Sequence, residues 1–173
     1  MFIFEGMKSK EEQEKFINTL RQNDGVIFKI CMMFTDRQPD NIRDLYQDIV
    51  CNLWESREKF REECSTRTWF YRIGLSTAVS QLRKRRHTPL IIELTKEMEE
   101  SIKEEKQDER IEELYNMINQ LNKADKSLIL LYVDDIPINE IAGIMGISYM
   151  AAAKRLSRIK DKLQTLKIMQ DGK

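Results

Sequence analysis

At 173 residues, 41% hydrophobic and 34% charged, the chain has the length and composition of one globular domain or two small ones, which excludes a fibrous or largely disordered protein. Its 29 Lys and Arg balance its 29 Asp and Glu, so the total charge neither indicates nor excludes a nucleic-acid partner. The distribution of charge is more informative. Residues 1–90 and 114–173 each carry three more basic than acidic residues, whereas residues 91–113 carry six more acidic ones.

Composition also limits the fold class, the chemistry and the compartment. Glycine and proline are scarce, at 6 and 3 residues, which predicts an all-α fold. Three cysteines without a Cys-x-x-Cys spacing, and a single histidine, do not supply the ligands of a structural zinc site, so we expect no metal and no cofactor. Sparse thiols fit a reducing cytosol, and no apolar run approaches the ~18 residues that cross a bilayer. The start of the chain lacks a signal-peptide pattern, so we expect a cytoplasmic protein without membrane insertion.

The first module is predicted to span residues 1–88. Residues 25–34, "GVIFKICMMF", are apolar nearly all round, so their helix should be buried on several sides. The next helix lies in "DNIRDLYQDIVCNLWES", with Asp40 as the expected N-cap after Pro39. Its apolar stripe comprises Ile42, Leu45, Tyr46, Ile49, Leu53 and Trp54. A polar face carries Asp44, Gln47, Asp48, Cys51 and Glu55.

Residues 55–67 interrupt this periodicity and predict a loop with at most a helical turn. The following helix, "TWFYRIGLSTAVSQLRKRRH" (68–87), should turn four residues inward: Leu75, Ala78, Val79 and Leu82. A polar stripe suited to a nucleic-acid backbone follows Thr68, Arg72, Ser76, Ser80 and Arg83. The aromatic residues near its start are Phe60, Trp69, Phe70 and Tyr71. Aromatic rings beside cations can stack on unpaired bases, and the alternative is that Trp69 and Phe70 belong to the core.

Residues 89–111 are acidic and are predicted to form a solvated linker. The second module, residues 112–173, opens with a short amphipathic helix through Leu114, Met117, Ile118 and Leu121. "KSLILLYV" predicts a buried helix. Next comes a helix-turn-helix pattern with Pro137 in the first turn of one helix, Gly146 as its left-handed end, and Ser148 as the cap of the next.

The second helix of this pattern is basic on one side. Leu156, Ile159 and Leu163 are expected to face inward. The side chains available to a partner would be Tyr149, Met150, Ala153, Lys154 and Arg158. The first half of such a helix enters the major groove of DNA, so duplex binding is favoured over a helical hairpin with a solvated basic face. A glycine-rich phosphate loop and a Ser/His/Asp or Cys/His set are missing from the sequence, which argues against an enzyme.

Three segments in this order and spacing resemble the sigma-70 family of bacterial transcription initiation factors, and its small extracytoplasmic-function (ECF) group most of all. They are "DLYQDIVCNLW", "TWFYRIGLSTAVSQLRKRR" and "INEIAGIMGIS" continued by "KRLSRIKDKL". The resemblance spans about residues 16–167. It implies two small helical domains, a region 2-like bundle and a region 4-like helix-turn-helix, joined by the acidic linker. It also implies that the protein binds core RNA polymerase, recognises promoters and assists DNA melting.

The resemblance assigns three sets of residues. The first would bind the coiled coil of the largest polymerase subunit: Asp44, Leu45, Gln47, Asp48 and Trp54. The second would bind and melt the −10 element: Lys59, Phe60, Arg61, Thr68, Trp69, Arg72, Ser76, Arg83, Lys84 and Arg85. The third would bind the −35 element as duplex: Ser148, Tyr149, Met150, Ala153, Lys154, Arg155 and Arg158.

Several residues depart from the family pattern. Ser76 stands where the family has Asn, and Ala151 and Ala153 replace Thr and Lys in the recognition helix, so the promoter sequence does not carry over. Pro137 stands where a Ser or Thr cap is usual. The resemblance further implies control by an anti-sigma factor. The alternatives are a stand-alone helix-turn-helix regulator, which does not need the acidic helix face from Asp44 to Trp54, and a helical adaptor that binds only protein.

Overall fold

The computed structural model describes residues 10–60, 64–81 and 109–171 of the chain. These residues form eight α-helices and one 3-10 turn, and the described part contains no strand, which confirms the all-α prediction. The chain divides into two compact units, Met1–Glu99 and Glu100–Lys173. Most of the predicted acidic linker lies outside the described residues, and its last three residues, 109–111, belong to a helix.

The described residues of the first unit form four α-helices and the 3-10 turn. They are α1 (Lys10–Gln22), α2 (Asp24–Phe34), α3 (Pro39–Ser56), the turn Arg57–Lys59, and α4 (Thr66–Gln81). Helices α2, α3 and α4 pack on one another, and α1 packs on α2. Six of the eleven residues of α2 are buried, as its nearly continuous apolar sequence predicts. The largest fully buried side chains of this core are Ile27, Ile30, Met32, Ile42, Leu45, Ile49, Leu53, Phe70 and Tyr71.

Helix α3 begins two residues earlier than predicted. Gln38 is the N-cap, with extended backbone angles (φ −74°, ψ 136°), and Pro39 is the first helical residue. The prediction that Asp40 caps the helix is therefore wrong. Proline lacks the N–H that a first-turn residue leaves unpaired, its φ is already helical, and it forces the preceding residue into extended geometry. Asp40 lies instead in the first turn, where the helix dipole favours an acid, and pairs with Arg43 at 3.0 Å.

Helix α4 starts at a serine cap. The hydroxyl of Ser65 accepts a hydrogen bond from the backbone N–H of Thr68 at 3.0 Å, and its carbonyl accepts from Trp69 at 3.0 Å. Leu75 and Ala78 are buried as predicted, but Val79 is 37% exposed and does not pack inward. The buried arc of α4 runs through Gly74 and Thr77 towards α2 and α3, which leaves Val79 outside it. Leu82 lies outside the described residues.

Close approach of α2 and α4 depends on Gly74. A Cβ atom at this position would lie 2.5 Å from Cδ1 of Ile30 and 3.7 Å from Cγ2 of Ile49. Both isoleucines are fully buried. Glycine therefore lets the backbone of α4 lie directly against the side chains of α2 and α3.

The second unit contains α5 (Glu109–Asn119), α6 (Lys123–Val133), α7 (Ile138–Met145) and α8 (Tyr149–Asp171). Helix α8 packs against the other three helices. The core comprises Ile118, Leu121, Leu128, Leu131, Ile141, Ala142, Ala152, Leu156 and Ile159. Leu114, predicted on the buried face of α5, is 46% exposed. Pro137 is the N-cap of α7 rather than a residue of its first turn.

Candidate nucleic-acid interface

The polar face of α3 is acidic and accessible in part. Asp44 and Glu55 are exposed, and Gln47, Asp48 and Cys51 are half-buried. Leu45, which the resemblance groups with them, is 1% exposed and lies in the core. Leu45 thus supports this face from below, and its predicted contact with a polymerase stays a prediction.

Trp54 lies at the end of this face with its ring held on two sides. The ring of Phe16 meets it edge-on, with centroids 5.0 Å apart and an interplanar angle of 74°. The guanidinium carbon of Arg57 lies 3.6 Å from the centroid of the Trp54 ring. Arg57 Nη1 also donates to the Trp54 carbonyl at 2.7 Å. Trp54 is therefore fixed in orientation while it remains half-buried.

The charge of the α3 face also affects Cys51. Burial raises the pKa of its thiol, and the negative charges of Asp48 and Glu55 raise that pKa further. Both effects disfavour the thiolate, so Cys51 stays protonated and poorly nucleophilic at neutral pH. The negative charge of the face therefore comes from its carboxylates, Asp44, Asp48 and Glu55, and it suits a basic protein surface and not a nucleic acid.

The α4 face provides a polar surface of the opposite kind. Arg72, Ser76 and Ser80 are exposed at spacings of four residues, on one side of the helix. Thr68, predicted as the first member of this stripe, is 2% exposed, and its hydroxyl lies 2.8 Å from that of Ser65. The accessible stripe therefore starts at Arg72. Arg61, Arg83, Lys84 and Arg85 lie outside the described residues.

The aromatic residues near this stripe form a packed stack. Trp69 is 8% exposed; the ring of Phe60 stacks on it with centroids 4.8 Å apart and an interplanar angle of 22°. On its other side the ring of Phe70 meets Trp69 edge-on at 5.3 Å. This packing favours the second of the two alternatives that the sequence left open, in which Trp69 and Phe70 brace the helix. Phe60, half-buried, is the outer ring of the stack.

A groove between the end of α3 and α4 was not predicted from the sequence. Its volume is about 260 Å³, and Asn52, Glu55, Ser56, Lys59, Ile73, Ser76 and Thr77 line it. Nδ2 of Asn52 donates to Oγ1 of Thr77 at 2.8 Å, which joins the two helices. These partners are 25 positions apart in sequence, so no local periodicity reveals the pair. The groove places Lys59 beside Ser76, two residues predicted separately for the −10 set.

The helix-turn-helix forms as predicted. Gly146 has a φ of +65° and ends α7, and the Ser148 hydroxyl accepts from the backbone N–H of Ala151 at 3.2 Å. The first turns of α8 then present exposed side chains. Tyr149, Lys154 and Arg158 are exposed, Met150 is 74% exposed, and Ala153 is half-buried.

Other cations of α8 are engaged within the unit. Arg155 forms an ion pair with Asp125 of α6, and its Nη2 donates to the Oδ1 of Asn122 at 3.4 Å. Lys160 Nζ donates to the Tyr132 hydroxyl at 2.7 Å, and Lys162 Nζ donates to the Gln120 carbonyl at 3.1 Å. Sequence periodicity placed all three in one basic face and gave no signal for these distant partners. Lys154 and Arg158 have exposed side chains at the N-terminal half of the helix.

Neither a metal-binding cluster nor a membrane-spanning helix occurs among the described residues. No three His, Cys, Asp or Glu side chains come together there as a metal-binding group. None of the described helices combines the length and the apolar character that crossing a membrane requires.

Comparison with known proteins agrees with this arrangement. The family described as Sigma-70 region 2 matches residues 19–88, and that described as Sigma-70, region 4 matches residues 111–163. The chain is similar to RNA polymerase sigma factor SigV of Bacillus subtilis (strain 168), with 25% identity over 154 residues, 88% of this chain and 91% of SigV.

Two solved structures share the fold. The structure of CnrH in complex with the cytosolic domain of CnrY matches with a TM-score of 0.65 and 20% identity, covering 91% of this chain and 90% of that one. Sigma factor RpoE in complex with the anti-sigma factor NepR from Bartonella quintana matches with a TM-score of 0.65 and 18% identity, covering 91% and 97%. With region 2 and region 4 matched in order over most of its length, the chain belongs to the sigma-70 family, in its ECF group.

Proposed function

We propose that this ECF-type sigma factor directs core RNA polymerase to its promoters through three surfaces, defined by the acidic face of α3, the stripe of α4 and the start of α8. The observation that carries the proposal is that one chain has two surfaces of different charge. The first turns of the capped helix α8 expose basic side chains, whereas the polar face of α3 is acidic. A regulator that bound duplex DNA alone would have no use for that acidic face. The protein itself performs no catalysis, and RNA synthesis belongs to the polymerase.

Within the first unit, we assign polymerase binding to Asp44, Gln47, Asp48 and Trp54. Carboxylates on one side of a helix attract a basic partner, and Trp54, already held by Phe16 and Arg57, loses little conformational entropy on binding. We assign −10 recognition to Arg72, Ser76, Lys59 and the half-buried ring of Phe60. Buried Trp69 then acts by supporting Phe60.

Within the second unit, the −35 element would be bound as duplex by the first turns of α8. Ser148, Tyr149 and Met150 lie at its N-terminus, where such helices contact base edges, and Lys154 and Arg158 reach phosphates. Since RpoE in a related structure is held by an anti-sigma factor, we propose that a protein of that kind also controls this chain. We place the protein in the cytoplasm, where polymerase is found.

Transcription in vitro tests the proposal. Purified chain, core polymerase without sigma and a library of promoter fragments should give sequence-specific starts, and omission of the chain should abolish them. Asp44→Lys reverses an exposed charge of the α3 face and should lower both polymerase binding and initiation at least tenfold. Glu14→Lys makes the same charge change at an exposed position of α1 and should leave both near the unmodified level.

A chain that never supports initiation with any core polymerase, yet footprints duplex DNA alone, would be a stand-alone regulator. Equal losses for Asp44→Lys and Glu14→Lys would remove the α3 face from the proposal, because the effect would then be one of total charge.

A further inference from the structure

Asp125, in the first turn of α6, is the centre of a hydrogen-bonded cluster beneath the recognition helix α8. Its Oδ1 accepts from Nε of Arg155, and its Oδ2 accepts from Nδ2 of Asn122 at 2.6 Å. Asn122 caps α6 by accepting from the backbone N–H of Asp125 at 3.0 Å, and it accepts from Arg155 at 3.4 Å. The Asp125 and Arg155 side chains are 19% and 30% exposed, so the pair is partly shielded from water.

The cluster takes one cation out of a basic surface. Lys154 and Arg158, on either side of Arg155 in sequence, are exposed. A carboxylate and a phosphate offer a guanidinium the same kind of anionic acceptor. A DNA phosphate can therefore use Arg155 fully only by displacing Asp125, and a partly shielded ion pair resists displacement more than an exposed one does.

We propose that Asp125 is an internal substitute for a DNA phosphate, which withholds Arg155 from sequence-independent contacts and so limits the affinity of α8 for arbitrary duplex. Asp125 is thus a specificity-determining residue outside the helix-turn-helix. Selectivity depends on the ratio of specific to non-specific binding, because competing genomic sites are so numerous. The predicted contact of Arg155 with a −35 element then requires that the pair with Asp125 opens. The proposal rests on the proposed function for its biological meaning but not for its test.

The salt dependence of binding to a mixed-sequence duplex measures the number of phosphates contacted. Asp125→Asn keeps the shape of the side chain and an oxygen acceptor while it removes the charge that holds Arg155. Titration of the full chain over a range of KCl concentrations should give a slope of log K against log[salt] that is steeper by about 0.9, the value for one more phosphate contact. A tenfold fall in salt then raises affinity about eightfold more than in the unmodified chain.

Two further variants serve as controls. Asp161→Asn removes the same charge from an exposed position on α8 and should leave the slope unchanged. Asp125→Asn combined with Arg155→Ala should restore the original slope, since the released cation is gone. Circular dichroism of each variant verifies that the helices are retained.

Several results would overturn the proposal. They are an unchanged or shallower slope for folded Asp125→Asn, and an equal steepening by Asp161→Asn. Arg155→Ala alone gives an independent check that does not depend on the folding of Asp125→Asn. It should leave the non-specific slope as it is, and a slope shallower by about 0.9 would mean that Arg155 already contacts phosphate. Failure of promoter initiation with core polymerase would contradict the proposed function. It would not change the expected salt slopes, which are measured without polymerase.

Discussion

A glycine inside α7 and the glycine that ends this helix show how one residue type has opposite effects at nearby positions. Gly146 has a φ of +65° and ends the helix, with its own N–H and that of Ile147 both donating to the Ala142 carbonyl. Gly143 lies inside the helix. A Cβ at either position would meet no atom within 4 Å, so steric contact plays no part and backbone conformation decides.

We expect Gly146→Ala to lower the free energy of unfolding of the second unit by about 1 kcal/mol, because L-residues pay that much in the left-handed region. Gly143→Ala, the matched control, should raise it by up to about 1 kcal/mol, because alanine is the better helix former. Urea unfolding followed by circular dichroism at 222 nm measures both. If the two substitutions moved stability in the same direction, the turn would not owe its geometry to Gly146.

At this scale the sequence predicted the identity of special residues better than their positions. Gly146 and Ser148 were assigned correctly, since a left-handed glycine and a serine cap leave a clear local pattern. Pro39 was predicted to precede the cap and is the first helical residue, two positions further in. Pro137 was predicted in the first turn and is the cap, because a proline is compatible with several positions near a helix start. Backbone angles resolve that ambiguity and composition does not.

At the scale of helices, α2 and α4 approach closely because Gly74 has no side chain. Periodicity predicted which faces of these helices are buried, but it holds no information on how near two axes come. The Gly74 contact with Ile30 appears only when both helices are placed. The same limit explains why the exposure of Val79 was not predicted, because its position at the edge of the stripe depends on where α2 and α3 lie. It also explains why the hydrogen bond between Asn52 and Thr77 was not predicted.

Gly74→Ala should therefore destabilise the first unit by about 1–2 kcal/mol, because the new methyl group overpacks the core against Ile30. Ile30→Val removes Cδ1, the atom in the way, at a cost of about 1 kcal/mol. The double variant should lose at least about 1 kcal/mol less than the sum of the two. Trp54 and Trp69 both lie in this unit, so tryptophan fluorescence during urea unfolding measures its stability.

Gly25→Ala is the control for this cycle. Gly25 lies in α2, and a Cβ there would have nothing within 4 Å, so no destabilisation is expected. Additive effects of Gly74→Ala and Ile30→Val would mean that the core accommodates the methyl group by moving something other than Ile30.

Across the whole molecule, the formal net charge is zero although individual surfaces are acidic or basic. The resemblance and the charge distribution predicted the two helical units and the family. The sequence did not show which cations of α8 have partners within the unit, since the partners of Arg155, Lys160 and Lys162 are 30, 28 and 42 positions away. Such pairing is a tertiary property, and it reduces the cations of α8 that we expect to meet DNA to a smaller set headed by Lys154 and Arg158, whose side chains are exposed.

That reduction predicts a difference between two cations of one helix. Arg158→Ala should make the salt slope of duplex binding shallower by about 0.9, because one phosphate contact is lost. Lys167→Ala removes the same charge nine residues further along α8, about 14 Å away, and should leave the slope nearly unchanged. Fluorescence anisotropy with a labelled duplex measures both slopes. Equal changes would indicate that α8 attracts DNA through its total charge.

The burial of Cys31 makes its thiol a probe for the opening of the first unit. Its side chain is fully buried in α2, and burial first, then the nearby Asp24 charge, raises the pKa of its thiol. The thiol is therefore unreactive until the first unit opens. The chain's other thiols, Cys51 and Cys64, belong to that unit too, so the second unit contributes no cysteine. The rate of Cys31 alkylation would thus report the opening of the first unit without a contribution from the second. A bound polymerase should lower that rate.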